Sequence, residues 1–105
     1  MAIQVQADIL DGMVLAILTR EDYYGYALTK EVQGHVDISE STMYPVLKRL
    51  QKGELLTVYD KSFEGRNRRY YQITKEGSAR LDEIRNDWNQ FRGSIDEILS
   101  IGGEK

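Results

Sequence analysis

In the last third of the chain, apolar side chains fall at Leu81, Ile84, Trp88, Phe91, Ile95 and Ile98, in steps of 3, 4, 3, 4 and 3. That alternation is the a/d seam of a helix that packs lengthwise against another helix. Thr74 stands where an N-cap hydroxyl is wanted, so the helix is expected from Lys75 to Ser100, about 39 Å at 1.5 Å per residue. In a chain of 105 residues, a rod of that length overhangs whatever the remaining residues build. The seam then either meets its counterpart on a second copy or folds back on its own domain. Gly93 lies off the seam and weakens the far end.

Upstream, three short helices are expected. Ile9, Leu10, Met13, Val14, Ile17 and Leu18 mark a helix buried over a wide arc within Ile3 to Arg20, with Gly12 in its middle. The Glu21–Gly25 stretch breaks that pattern, and a second helix runs from about Tyr26 to a stop at Gly34. Ser39, Ser41 and Thr42 offer several N-caps for a third, which buries Met43, Val46, Leu47 and Leu50 and ends at Gly53. Pro45 favours a start near Ser41, where the missing amide falls in the first turn; a start at Ser39 is the alternative.

Two strands follow, Leu55 to Ser62 and Arg66 to Ile73, joined through Phe63-Glu64-Gly65 as a hairpin. The fold class is mostly α with a small β-hairpin, a winged helix-turn-helix with a long C-terminal dimerisation helix. Residues 1–73 read as the DNA-binding domain and 74–105 as the coiled-coil-like dimerisation helix.

Charge sharpens this reading. The chain carries a net charge of −3, yet residues 39–75 hold +4 against −4 before them and −3 after. A basic middle between acidic flanks fits a localised contact with a polyanion, double-stranded DNA above all. Zero Cys and a single histidine, His35, leave no thiolate, metal cluster or His relay. No catalytic residues, metal or cofactor are therefore expected, and no enzyme. No apolar run approaches the roughly 20 residues needed to span a bilayer, and the first ten residues carry no basic leader, so a cytoplasmic protein with no membrane partner is expected.

The blocks Tyr24-Gly25-Tyr26, Ser41-Thr42-Met43-Tyr44-Pro45-Val46-Leu47-Lys48-Arg49-Leu50, Glu54-Leu55 and Arg69-Tyr70-Tyr71-Gln72-Ile73-Thr74-Lys75-Glu76-Gly77 together resemble the PadR family of bacterial transcriptional regulators. They cover about residues 10 to 80 in the right order. A chain ending after one long helix is similar to the shorter subfamily. The resemblance implies a homodimer built from the first and last helices, and a ligand-responsive repressor acting on a palindromic operator. It also implies a small planar or aromatic effector, stacked by a last-helix tryptophan whose place Trp88 matches. Trp88 is then either plain dimer core or a ligand platform, with Phe91 and Asp87 beside it.

The DNA-binding candidates are Ser39, Ser41, Thr42, Tyr44 and Lys48 on the third helix, with Lys61, Arg66, Asn67 and Arg68 in the wing. The three hydroxyls serve as caps, as phosphate contacts, or as both. Arg66, nearest the tip, is the prime candidate for a phosphate or minor-groove contact. Arg68 and Arg69 point to opposite faces of one strand, so at most one faces DNA while the other pairs with a carboxylate. Dimerisation is expected through Leu10, Met13, Leu81, Ile84, Trp88, Phe91, Ile95 and Ile98. The rival reading is a winged helix that docks an acidic protein partner and binds no DNA.

Overall fold

The computed structural model describes residues 4–103. Among the described residues, four helices and three strands follow in the order α1 (Ala7–Leu18), β1 (Tyr23–Tyr24), α2 (Gly25–Gln33), α3 (Glu40–Lys52), β2 (Leu56–Phe63), β3 (Arg66–Ile73) and α4 (Lys75–Leu99). The fold is mostly helical with one small antiparallel sheet, a winged helix. That sheet has three strands in the order β1-β3-β2, one more than the expected hairpin. The extra strand comes from the stretch read as a break: Tyr23 pairs with Tyr71 and Tyr24 with Tyr70. Two residues are too few to show a period, so the strand exists through its partner.

One core unites the helices and the inner sheet face. Leu10, Val14, Leu15 and Leu18 of α1 meet Leu28 and Val32 of α2, and Met43, Val46, Leu47 and Leu50 of α3. Leu56, Tyr71, Leu81 and Ile84 complete it. α1, Ala7–Leu18, falls inside the expected stretch from Ile3 to Arg20, and Ile3 lies outside the described residues.

α3 starts at Glu40 with Ser39 as its cap, one residue earlier than the expected start near Ser41. The Ser39 hydroxyl accepts the Thr42 amide at 3.2 Å, and that cap sets the start. Pro45 is thereby carried beyond the first turn, where its missing amide leaves the Ser41 carbonyl without a helical donor. At the other end, the Leu55 amide bonds the Leu50 carbonyl at 2.9 Å and the Glu54 amide bonds that of Gln51 at 3.0 Å. This is a Schellman closure whose left-handed residue is Glu54, at φ 65°, rather than Gly53.

The hairpin is tighter than Phe63-Glu64-Gly65 suggested. Phe63 pairs directly with Arg66, leaving a two-residue turn with Glu64 at φ 52° and Gly65 at φ 80°. Two positive φ values in succession match the twist of the flanking strands. Thr74 caps α4 as expected, its hydroxyl accepting the Gly77 amide at 2.9 Å.

The first turns of α4 lie on α1, where Leu81 and Ile84 are buried. Gly12 permits that approach, because a Cβ there would meet the Ile84 Cγ2 at 2.7 Å. Beyond Ile84 the helix leaves the domain, which stretches the molecule to 60 × 30 × 21 Å.

Candidate nucleic-acid interface

α3 buries one face and offers the other to solvent. Ser39, Ser41, Thr42, Tyr44 and Lys48 are all exposed. At its start the Ser39 Oγ lies 2.9 Å from the Ser41 hydroxyl and 3.0 Å from that of Thr42. A cluster of hydroxyls at a helix N-terminus presents donors where an anion is favoured. One turn on, Tyr44 is 63% exposed and the Lys48 ammonium lies 5.6 Å from its ring centre. The aromatic body thus holds the lysine near the exposed surface of α3.

Arg49 belongs to a different arrangement. Its guanidinium bonds the Asp11 carboxylate of α1, which is nearly buried within the core helix. Burial pushes the Asp11 carboxyl above its ordinary range, while Arg49 pulls it back down. An aspartate inside the apolar run of α1 was the signal in the sequence for such a partner.

The wing divides its arginines between the two sheet faces. Arg69 lies on the inner face and pairs with Asp60 opposite it, at 3.8 Å. Asn67 shares that side and stands opposite Ser62 near the tip, exposed. Arg68 lies on the outer face, its guanidinium 4.2 Å from the ring centres of both Tyr24 and Phe63. Lys61, paired across from Arg68, has its ammonium 5.6 Å from the Tyr70 ring. Arg66 sits beside the Glu64-Gly65 turn, exposed. Among the described residues, Lys48, Lys52, Lys61, Arg66 and Arg68 have no carboxylate within salt-bridge distance, whereas Arg49 and Arg69 do. The basic excess of residues 39–75 is therefore concentrated on side chains without an ion-pair partner.

The expected dimerisation residues split into two groups. Leu10, Leu81 and Ile84 are spent on the chain's own core, so the seam serves the protomer for its first turns. Met13 is half-buried against that core. Trp88, Phe91, Ile95 and Ile98 are 39 to 65% exposed on the overhanging part of α4. Trp88 and Phe91 lie with ring centres 6.2 Å apart and line a groove of about 480 Å³ with Val5, Ile9 and Ile95. Arg92 and Asp96 stand at its margin. Asp87 borders an adjoining recess with Trp88 and Phe91, and is exposed.

A helix with an exposed polar face, preceded by α2 and followed by a cationic two-stranded wing, defines a winged helix-turn-helix DNA-binding regulator. The sequence matches the transcriptional regulator PadR-like family over residues 14–83. The chain belongs to that family. It is 35% identical over 96 residues to an uncharacterised protein of Lysinibacillus sphaericus, covering 86% of this chain and 87% of the other. Its fold matches a crystal structure of a Streptococcus mutans UA159 protein with a TM-score of 0.88 at 34% identity, covering 95% of this chain and 94% of that one. A PadR-like transcriptional regulator from Bacillus cereus matches with a TM-score of 0.78 at 33% identity, over 87% and 91% of the two chains.

Proposed function

We propose that this regulator is a homodimeric, ligand-responsive repressor that binds a palindromic operator. The observation that carries the reading is the pairing of cations on α3 and the wing that have no carboxylate within salt-bridge distance with an exposed apolar seam on the overhanging half of α4. α3 enters the major groove, led by the Ser39-Ser41-Thr42 cluster at the phosphates and by Tyr44 and Lys48 further along. Arg66 follows the backbone or minor groove from the wing tip, with Asn67, Lys61 and Arg68 behind it.

Trp88, Phe91, Ile95 and Ile98 bury their exposed surface against the same residues of a second copy. The groove that Trp88, Phe91 and Ile95 share with Val5 and Ile9 then borders the interface and takes a planar or aromatic effector, stacked on Trp88. Because α4 is continuous from this groove to the domain that carries α3, an effector there alters the separation of the two recognition helices. Half-sites lie about 34 Å apart, one turn of DNA, so a small rotation misaligns both.

Footprinting on the DNA upstream of the chain's own gene tests the proposal. Two protected half-sites related by a two-fold axis and centred about one helical turn apart support it. Protection of a single half-site, or of none at concentrations where the protein is dimeric, overturns it.

A further inference from the structure

The outer face of the sheet carries a run of rings and cations that a hydrophilic strand surface does not need. Tyr59 stacks on Tyr70 with ring centres 5.6 Å apart and planes 13° from parallel. Tyr70 neighbours Tyr24 at 5.9 Å, and Tyr24 stacks near Tyr26 at 6.4 Å. Four rings thus form one continuous row across β2, β3, β1 and the first turn of α2. Three cations are interleaved with it: Arg68 between Tyr24 and Phe63, Lys61 at Tyr70, and Lys30 at Tyr26. Tyr26, Tyr59 and Phe63 remain 38 to 59% exposed.

The row lies on the face turned away from the core. Side chains alternate across a strand, and Val58, Tyr71 and Ile73 point inward to the helices. No strand residue of the outer face is acidic: Thr57, Tyr59, Lys61 and Phe63 on β2 stand opposite Gln72, Tyr70, Arg68 and Arg66 on β3. The Asp22 carboxylate beside the row is engaged by the Tyr59 hydroxyl at 2.6 Å and the Gln72 amide at 3.4 Å. That bond fixes the Tyr59 ring in the row.

We infer that this face is a second nucleic-acid site, one that takes a single strand by stacking unpaired bases on Tyr26, Tyr59 and Phe63. Its charge selects the ligand class, because cations without carboxylate partners beside open π-faces suit a phosphodiester chain with exposed bases. Duplex DNA can use the cations but not the rings, since its bases already stack on one another and show only their edges in the grooves. A guanidinium held 4.2 Å from two ring centres also suits a phosphate, to which its in-plane N–H groups can donate. The ring row lies on the face of the sheet opposite α3, and Lys61 and Arg68 are common to it and to the wing's proposed duplex contacts.

The test is fluorescence anisotropy of the full chain with a labelled oligothymidine of about a dozen nucleotides, beside a labelled duplex. Salt-sensitive binding of the oligothymidine is expected, weakened about tenfold or more when Tyr26→Ala and Tyr59→Ala are combined. The duplex affinity of that double variant should stay at the native value. Tyr59→Phe keeps the ring and should retain most of the affinity, which separates stacking from a fold defect. The inference is overturned if oligothymidine does not bind at low salt. It is equally overturned if the double variant, still folded by circular dichroism, binds oligothymidine as the native chain does.

Discussion

The Arg49 guanidinium of α3 bonds the Asp11 carboxylate of α1, which ties α3 to the helix at the centre of the core. Asp11 is almost out of solvent while Arg49 stays half exposed, so the acid bears most of the desolvation. Buried pairs of this kind hold geometry more than they add stability.

Removing one partner exposes that imbalance. Arg49→Ala leaves a buried carboxylate unpaired and should lower the stability by about 1–3 kcal/mol in urea unfolding at neutral pH. Asp11→Asn keeps a hydrogen bond to Arg49 and drops the buried charge, and should stay within about 1 kcal/mol of the native chain. The pH dependence has a definite sign. Burial raises the folded carboxyl above 3.8, so this group's contribution to stability falls as pH rises from 3.8 through the folded value. Asparagine does not titrate, so Asp11→Asn should compare better with the native chain at pH 7 than at pH 3. The opposite trend would refute this assignment.

Gly77 holds the start of α4 against the strand that enters the wing. A Cβ there would overlap the Leu55 carbonyl and come within 2.8 Å of Ile73 Cγ1. Backbone cannot yield as a side chain does, so Gly77→Ala should cost about 2–4 kcal/mol. Gly12→Ala meets only the Ile84 side chain and should cost less, about 1–2 kcal/mol, by the same denaturation assay.

Glu54 offers the reverse effect. It occupies a left-handed conformation at φ 65° to close α3, which glycine adopts without a Cβ penalty. Its carbonyl accepts the Thr74 hydroxyl at 2.8 Å, a bond that any residue keeps. Glu54→Gly should therefore raise the unfolding free energy by about 0.5–1 kcal/mol; a loss of stability would mean that the carboxylate has a role of its own.

Trp88 is the chain's single tryptophan and sits 39% exposed on the seam. Its emission should shift to the blue as concentration rises through the dimerisation range, in step with the mass from sedimentation equilibrium. Ile95→Asp places a charge on the same face, and should keep both the monomer mass and the red-shifted emission. A dimer that forms with no spectral change would move the interface off this seam.

Local periodicity made much of this legible. The buried face of α3, the Thr74 cap and the Arg66–Ile73 strand follow from spacing and hydroxyl placement alone. The seam was legible as a pattern but not in its partner: nothing in the 3-4 spacing tells that Leu81 and Ile84 serve the protomer's own core while Trp88 onward stays open. β1 was hidden for the same reason, since Tyr23 and Tyr24 become a strand only through β3. The opposite faces of Arg68 and Arg69 were readable from alternation. That Arg69 takes the carboxylate depends on the register that sets it across from Asp60.

Operator binding is the most direct test of the central claim, measured by anisotropy with the upstream region of the chain's own gene and a scrambled duplex at two salt concentrations. Preferential binding is predicted, falling with salt at a log–log slope of about −4 to −5 if four to six side chains per dimer neutralise phosphates. Arg66→Ala should flatten the slope by about 2 per dimer, and Arg69→Ala, already paired with Asp60, should leave it unchanged. Equal affinity for both duplexes, or binding that salt does not weaken, would contradict the account.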